Sequence, residues 1–178
     1  MQPVCEEARP VGWPTEQLWF RTHRKEARVP ISHDTVEQAT REVLETSALT
    51  KVKSAKHHNE ADRDHSELVG TLSLLGKLGG TLVVYCAWPQ AVSLATNMLG
   101  GGPEPDRETV HDAMGEVVNQ IGGTIKRSIG ADGSELLLSP PLVVSGSPLS
   151  HCVKSTHEPM SVELELDNGS LFVCLWPS

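Results

Sequence analysis

Residues 161–176, SVELELDNGSLFVCLW, constrain the fold more than any other stretch. Val162, Leu164 and Leu166 alternate with Ser161, Glu163 and Glu165, the period-two pattern of a strand with one buried face. Asp167-Asn168-Gly169 then supplies residues that tolerate positive φ, as a tight hairpin turn requires, and SLFVCLW returns as the partner strand. A lone hairpin is marginally stable in water. This one therefore needs further strands and a layer to cover its apolar side.

The rest of the chain provides both. ELVGTLSLLG (67–76) and GGTLVVYCAW (79–88) are two apolar stretches joined through Lys77, Leu78 and glycines, which predicts a second hairpin. SELLLSPPLVVSGS (134–147) and SHCVKSTHEP (150–159) read as further strands, the first interrupted by Pro140-Pro141. Three segments carry helical spacing instead. Residues 32–49 repeat Val36, Ala39, Val43 and Leu44, with Ser32 or Asp34 available as cap. Residues 87–102 place Pro89 in a first turn and Ala91, Leu94, Ala95 and Met98 on one stripe, and Gly100 to Gly102 stop the helix. Residues 103–130 form the longest, capped by Asp106 and stopped by Gly130. The predicted class is α+β, helices on one face of a mainly antiparallel sheet, in an order suggesting a helix-plus-strands unit used twice. At 178 residues the chain suits one buried core. Residues 1–31, rich in proline and charge with Trp13, Trp19 and Phe20, read as an N-terminal extension, loosely ordered or surface-packed, and 32–178 as the domain.

Several function classes fall away. A net charge of -8 opposes nucleic acid, whose phosphates demand a dense basic surface. No apolar run approaches the ~20 residues of a membrane span. The acids in MQPVCEEARPVGW are unlike a secretory signal, so a cytoplasmic location is expected. Cys5, Cys86, Cys152 and Cys174 lie far apart without CxxC spacing, so neither disulfides nor zinc are expected, and Cys86 and Cys174 read as buried thiols. His57, His58, Asp62, Asp64 and His65 gather candidate metal ligands within the polar stretch 50–66. That stretch lacks a frame to fix their geometry; it reads as a solvated loop, and no metal site is assigned. The triple glycine is not embedded in a phosphate-loop pattern.

The long helix holds the chemistry. At 100° per residue, Val110, Met114, Val117, Ile121 and Ile125 share one side. Asp112, Glu116, Asn119, Gly123 and Lys126 share the other, with Glu116 and Asn119 side by side one turn apart. Gly115, Gly122 and Gly123 each cost about 1 kcal/mol in a helix interior relative to Ala, which calls for a packing or access requirement to offset it. Gly123 on the outward stripe would let another surface approach the backbone. An outward Glu and Asn alone are an ordinary solvated face.

VHDAMGEVVNQIGGTIKRSI resembles the signature of the CheC/CheX family of chemotaxis phosphatases: Asp or Ser, three residues, Glu, two residues, Asn, and a proline some twenty-odd residues on. Asp112, Glu116 and Asn119 match in identity and spacing. Pro140 and Pro141 fall near the proline, a residue or so early. The hairpin and the AVSLATNMLGG helix before the signature, and LLLSPPLVVSG after it, extend the likeness over roughly residues 34–176. CheC-type members bear the site on two helices. In this chain Glu37 is followed at the matching interval by Thr40, and Glu42 by Glu45, so the resemblance is to a single-site, CheX-like member.

The resemblance implies hydrolysis of the aspartyl-phosphate of a CheY-like response regulator. Asn119 is expected to orient the attacking water and Glu116 to dock the regulator's lysine, with Asp112 and Gly123 in partner binding. It implies no cofactor beyond the Mg²⁺ that the regulator brings, and by analogy a homodimer formed by strand exchange. The competing expectation is a non-catalytic regulator-binding or flagellar-switch-type scaffold using the same helix. A metal-dependent hydrolase built on the histidine-rich stretch ranks behind both.

Overall fold

The computed structural model describes residues 31–58, 66–76, 78–129, 136–146, 155 and 157–178. Helix α1 (His33–Thr46) leads into strands β1 (Ser54–His58), β2 (Leu68–Leu75) and β3 (Gly80–Cys86). Helices α2 (Trp88–Met98) and α3 (Arg107–Ser128) follow, then β4 (Leu137–Leu138), β5 (Leu142–Ser145), β6 (Met160–Leu166) and β7 (Gly169–Pro177). The sheet runs β1-β6-β7-β3-β2, with β4 and β5 both pairing the outer edge of β2, and every pairing is antiparallel.

Both predicted hairpins form. Leu68 pairs Cys86 and Leu74 pairs Gly80 in one; Leu166 pairs Gly169 in the other, where Gly169 has φ +140. Alternation sorts the side chains. Leu68, Leu72, Leu74, Leu82, Val84, Val162, Leu164, Leu171, Val173 and Leu175 join the core beneath the helices. Val69, Val83, Tyr85, Cys174 and Trp176 form a second buried cluster on the opposite face. Both faces therefore carry apolar contacts, although the helices cover one.

The helix ends follow local chemistry. Ser32, not Asp34, caps α1: its Oγ accepts from Thr35 N at 3.2 Å while Thr35 Oγ1 accepts from Ser32 N. Asp106 Oδ1 accepts from Thr109 N at 2.9 Å at the start of α3, and Thr109's hydroxyl and backbone N–H hold that carboxyl below its ordinary range. The N-cap of α2 is Ala87, which has no side-chain acceptor; Glu67, the residue before β2, supplies one to Trp88 N at 3.0 Å. The α1 helix stops at Thr46, short of the expected 49, and Thr50 N donates to Leu44 O at 2.8 Å across Leu49, which has φ +47.

Two expectations need correction. Residues 54–58 are not loop: they form edge strand β1, pairing Ser54 with Glu165 and His58 with Ser161. Polar residues suit an edge whose outer side faces water. Residues 155 and 157–159, at the end of the strand expected over 150–159, have no strand structure; Pro159 lacks a ladder donor. Residues 1–30 of the N-terminal arm, with Asp62, Asp64, His65, Lys77, Gly130 and Cys152, lie outside the described residues, while Ile31, expected as the arm's last residue, is buried in the core beneath the helices.

Candidate functional site

Helix α3 buries Val110, Met114, Val117, Val118, Ile121 and Ile125 against the sheet and its neighbouring helices. That orientation leaves Asp112, Glu116 and Asn119 exposed and Gly123 half-buried. The glycines divide by environment. A Cβ on Gly122 would stand 2.9 Å from Leu72 Cδ2, so close packing on β2 requires that glycine. One on Gly123 would meet nothing within 4 Å. One on Gly115 would make ordinary contacts with Val143 and Pro141.

Asn119 stands on a ridge between two open hollows. The first, about 500 Å³, is lined by His111, Asp112, Glu116 and Asn119 from α3 and by Pro141 and Val143 from the sheet edge. The second, about 430 Å³, takes Glu42 and Thr46 from α1, Ser47 just beyond it, and Asn119, Gly123, Thr124 and Arg127 from α3. Arg127 Nη2 bonds Glu42 Oε1 at 3.1 Å and Thr124 Oγ1 at 2.8 Å, clasping the two helices beside it.

The first hollow carries negative charge. Glu116 Oε1 accepts from Gln120 Nε2 at 2.7 Å, and no cation pairs with Glu116 among the described residues. The Asn119 carboxamide likewise has no hydrogen-bond partner among the described residues. Such a group can accept from and donate to an incoming molecule at once. His111 Nε2 lies 2.7 Å from Ser145 Oγ, and its ring meets the edge of Trp88, over which Arg107 stacks at 5.1 Å. These contacts fix α3 against β5 and α2.

The structure thus brings Asp112, Glu116 and Asn119 onto one accessible surface, with Gly123 on the far side of the ridge. His111, Gln120 and Val143 were not assigned from sequence. Gln120 was legible as an i,i+4 neighbour of Glu116. His111 and Val143 depend on where β5 pairs, which sequence does not reveal. His57 and His58 are far from this helix face. His57 Nε2 pairs with Glu37 Oε2 at 2.9 Å and its ring stacks on His33, while His58 Nε2 pairs with Glu163 at 3.3 Å. Among the described residues no group of three or more His, Cys, Asp or Glu is arranged to hold a metal ion.

An antiparallel seven-stranded sheet with its helices on one face is the architecture shared by solved CheX and CheC-like structures. CheX from Vibrio vulnificus superposes with a TM-score of 0.69 at 22% identity, covering 82% of this chain and 95% of that one. CheX from Desulfovibrio desulfuricans gives 0.71 at 21% identity, covering 82% and 97%. A CheX-CheY-BeF3-Mg complex from Borrelia burgdorferi gives 0.70 at 20%, covering 81% and 96%. No curated protein sequence matches the chain. The family model described as chemotaxis phosphatase CheX matches residues 68–165. The chain belongs to the CheX chemotaxis phosphatase family.

Proposed function

We propose that this protein hydrolyses the aspartyl-phosphate of a CheY-like response regulator, residues 32–178 forming the phosphatase domain. The carrying observation is the exposed Glu116 and Asn119 pair, its carboxamide uncommitted, on the helix that bears the family signature. The crystallised Borrelia relative holds CheY, BeF3 and Mg²⁺, the setting this chemistry requires.

Hydrolysis requires a water in line with the phosphorus–oxygen bond to the aspartate. The Asn119 oxygen accepts from that water while its NH₂ donates toward a phosphoryl oxygen. The water oxygen bonds to phosphorus, the acyl oxygen leaves as carboxylate, and inorganic phosphate departs. Asn119 positions rather than deprotonates, and positioning of this kind is worth several kcal/mol. Glu116 meets the regulator's lysine through a charge-assisted bond. Asp112 adds negative charge one turn earlier, and Gly123 admits the regulator's surface. Mg²⁺ comes with the regulator and neutralises phosphoryl charge there. This activity belongs in the cytoplasm, with its regulator.

The decay of a phosphorylated regulator, with and without the protein, tests the reading. Asn119→Ala should lower the stimulated rate about a hundredfold or more with the fold intact. Glu116→Ala should raise KM as well as lower kcat. Wild-type rates from both variants would overturn the assignment. A wild-type protein that binds the regulator and releases no phosphate would instead be a scaffold.

A homodimer is part of the proposal. Leu142, Val144, Leu137 and Leu75 are exposed. The register pairs Leu142 with Thr71, Val144 with Val69 and Leu137 with Leu75, setting all of them on the sheet face away from the helices. An apolar edge of this kind suits a second copy of the chain.

A further inference from the structure

We infer that Gln120 is a positioning residue: it aims the Glu116 carboxylate at the regulator while leaving its charge unspent. The inference rests on the function proposed above. Gln120 Nε2 donates to Glu116 Oε1 at 2.7 Å, so one carboxylate oxygen is held and the other stays available. The donor is a neutral amide, and the pair as a whole remains singly negative.

The same relation on the neighbouring helix is built differently. On α1, Glu37 Oε1 is held at 3.0 Å by Arg41, again four residues on, and Glu37 Oε2 is taken by His57. Glu42 on α1 is paired with Arg127. Their charge is answered within the molecule, whereas that of Glu116 is held in place by an uncharged donor. A guanidinium at position 120 would reproduce the Glu37–Arg41 pairing and compete with an incoming lysine for the same carboxylate.

Three variants of the full-length protein, assayed on a phosphorylated regulator, separate charge from orientation. Gln120→Arg should raise KM on the order of fivefold with kcat within about twofold of wild type, since an exposed charge pair has that weight. It should also flatten the rise of KM with salt, a readout that a merely structural role would leave unmoved. Gln120→Met, similar in length but without a donor, should raise KM less and keep the salt dependence. Glu116→Ala is the internal reference. If Glu116→Ala raises KM but Gln120→Arg and Gln120→Met both stay within about twofold of wild type, the role of Gln120 is overturned and the proposed function stands. Should Glu116→Ala leave KM unchanged, the docking role fails and the inference falls with it. Should Gln120→Arg not fold, Gln120→Met alone decides: a KM equal to wild type overturns the inference.

Discussion

Glu116 and Cys86 show how placement decides reactivity. Glu116 stands in water on α3, its charge available to a partner. Cys86 lies at the end of β3 in the core beneath the helices, and burial, with a smaller push from the Glu67 charge, raises its thiol to about 12. In the folded protein Cys86 should resist alkylation at neutral pH and react once denatured, as mass spectrometry of iodoacetamide-treated samples would show. The sign of its pH dependence follows. Its folded value exceeds the ordinary 9.0, so its contribution to stability is fully present below pH 9 and drains away as pH rises toward 12. Cys86→Ala should flatten that alkaline decline in urea midpoints. Gly122 and Gly123, adjacent in sequence, call for opposite outcomes. Gly122→Ala forces a methyl toward Leu72 and should cost about 1–2 kcal/mol, net of the helix gain. Gly123→Ala meets open space and should stabilise by up to about 1 kcal/mol while weakening regulator binding. Thermal melts and a binding titration would check both.

At the scale of elements, helices and hairpins were legible wherever one periodicity persisted. The α3 stripe, the Asp106 cap and the DNG turn each follow from local rules, so the outward pair Glu116 and Asn119 was readable before any fold was known. The C-terminal end of α1 was not. Its helical pattern runs on to Leu49, yet the chain turns there with a left-handed backbone at a residue that has a Cβ. Leu49 is 66% exposed, so its side chain contributes little burial in return. Leu49→Gly should therefore raise stability by about 0.5–1 kcal/mol, read from the urea midpoint, with phosphatase kinetics unchanged. Strand β1 escaped sequence reading for a different reason. SAKHH carries no alternation, and its strand state comes from pairing with β6, a partner more than a hundred residues away.

For the whole molecule, the decisive arrangement is long-range pairing. Both β4 and β5 lie along β2, separated by Ser139-Pro140-Pro141, and Ser139 Oγ accepts from Ser73 N at 2.9 Å across the break. This register brings Pro141 and Val143 to the first hollow, which is why that side of its wall was invisible in the sequence. It also turns Leu142, 61% exposed, to the opposite face. Leu142→Lys combined with Val144→Lys should shift a dimer to monomer in sedimentation velocity, with the far-UV spectrum retained. A dimeric double variant would remove this edge from the assembly.

Strand β5 thus serves two masters on alternate residues: odd-numbered Val143 walls the hollow, and even-numbered Leu142 and Val144 point to the far side. Loss or gain of a single residue after Pro141 would exchange the two sets, turning the hollow's wall to the far side and Leu142 and Val144 toward the helices. Length changes in this strand are therefore tolerable only in steps of two, an indel rule that ties the hollow and the exposed apolar face to the same four residues.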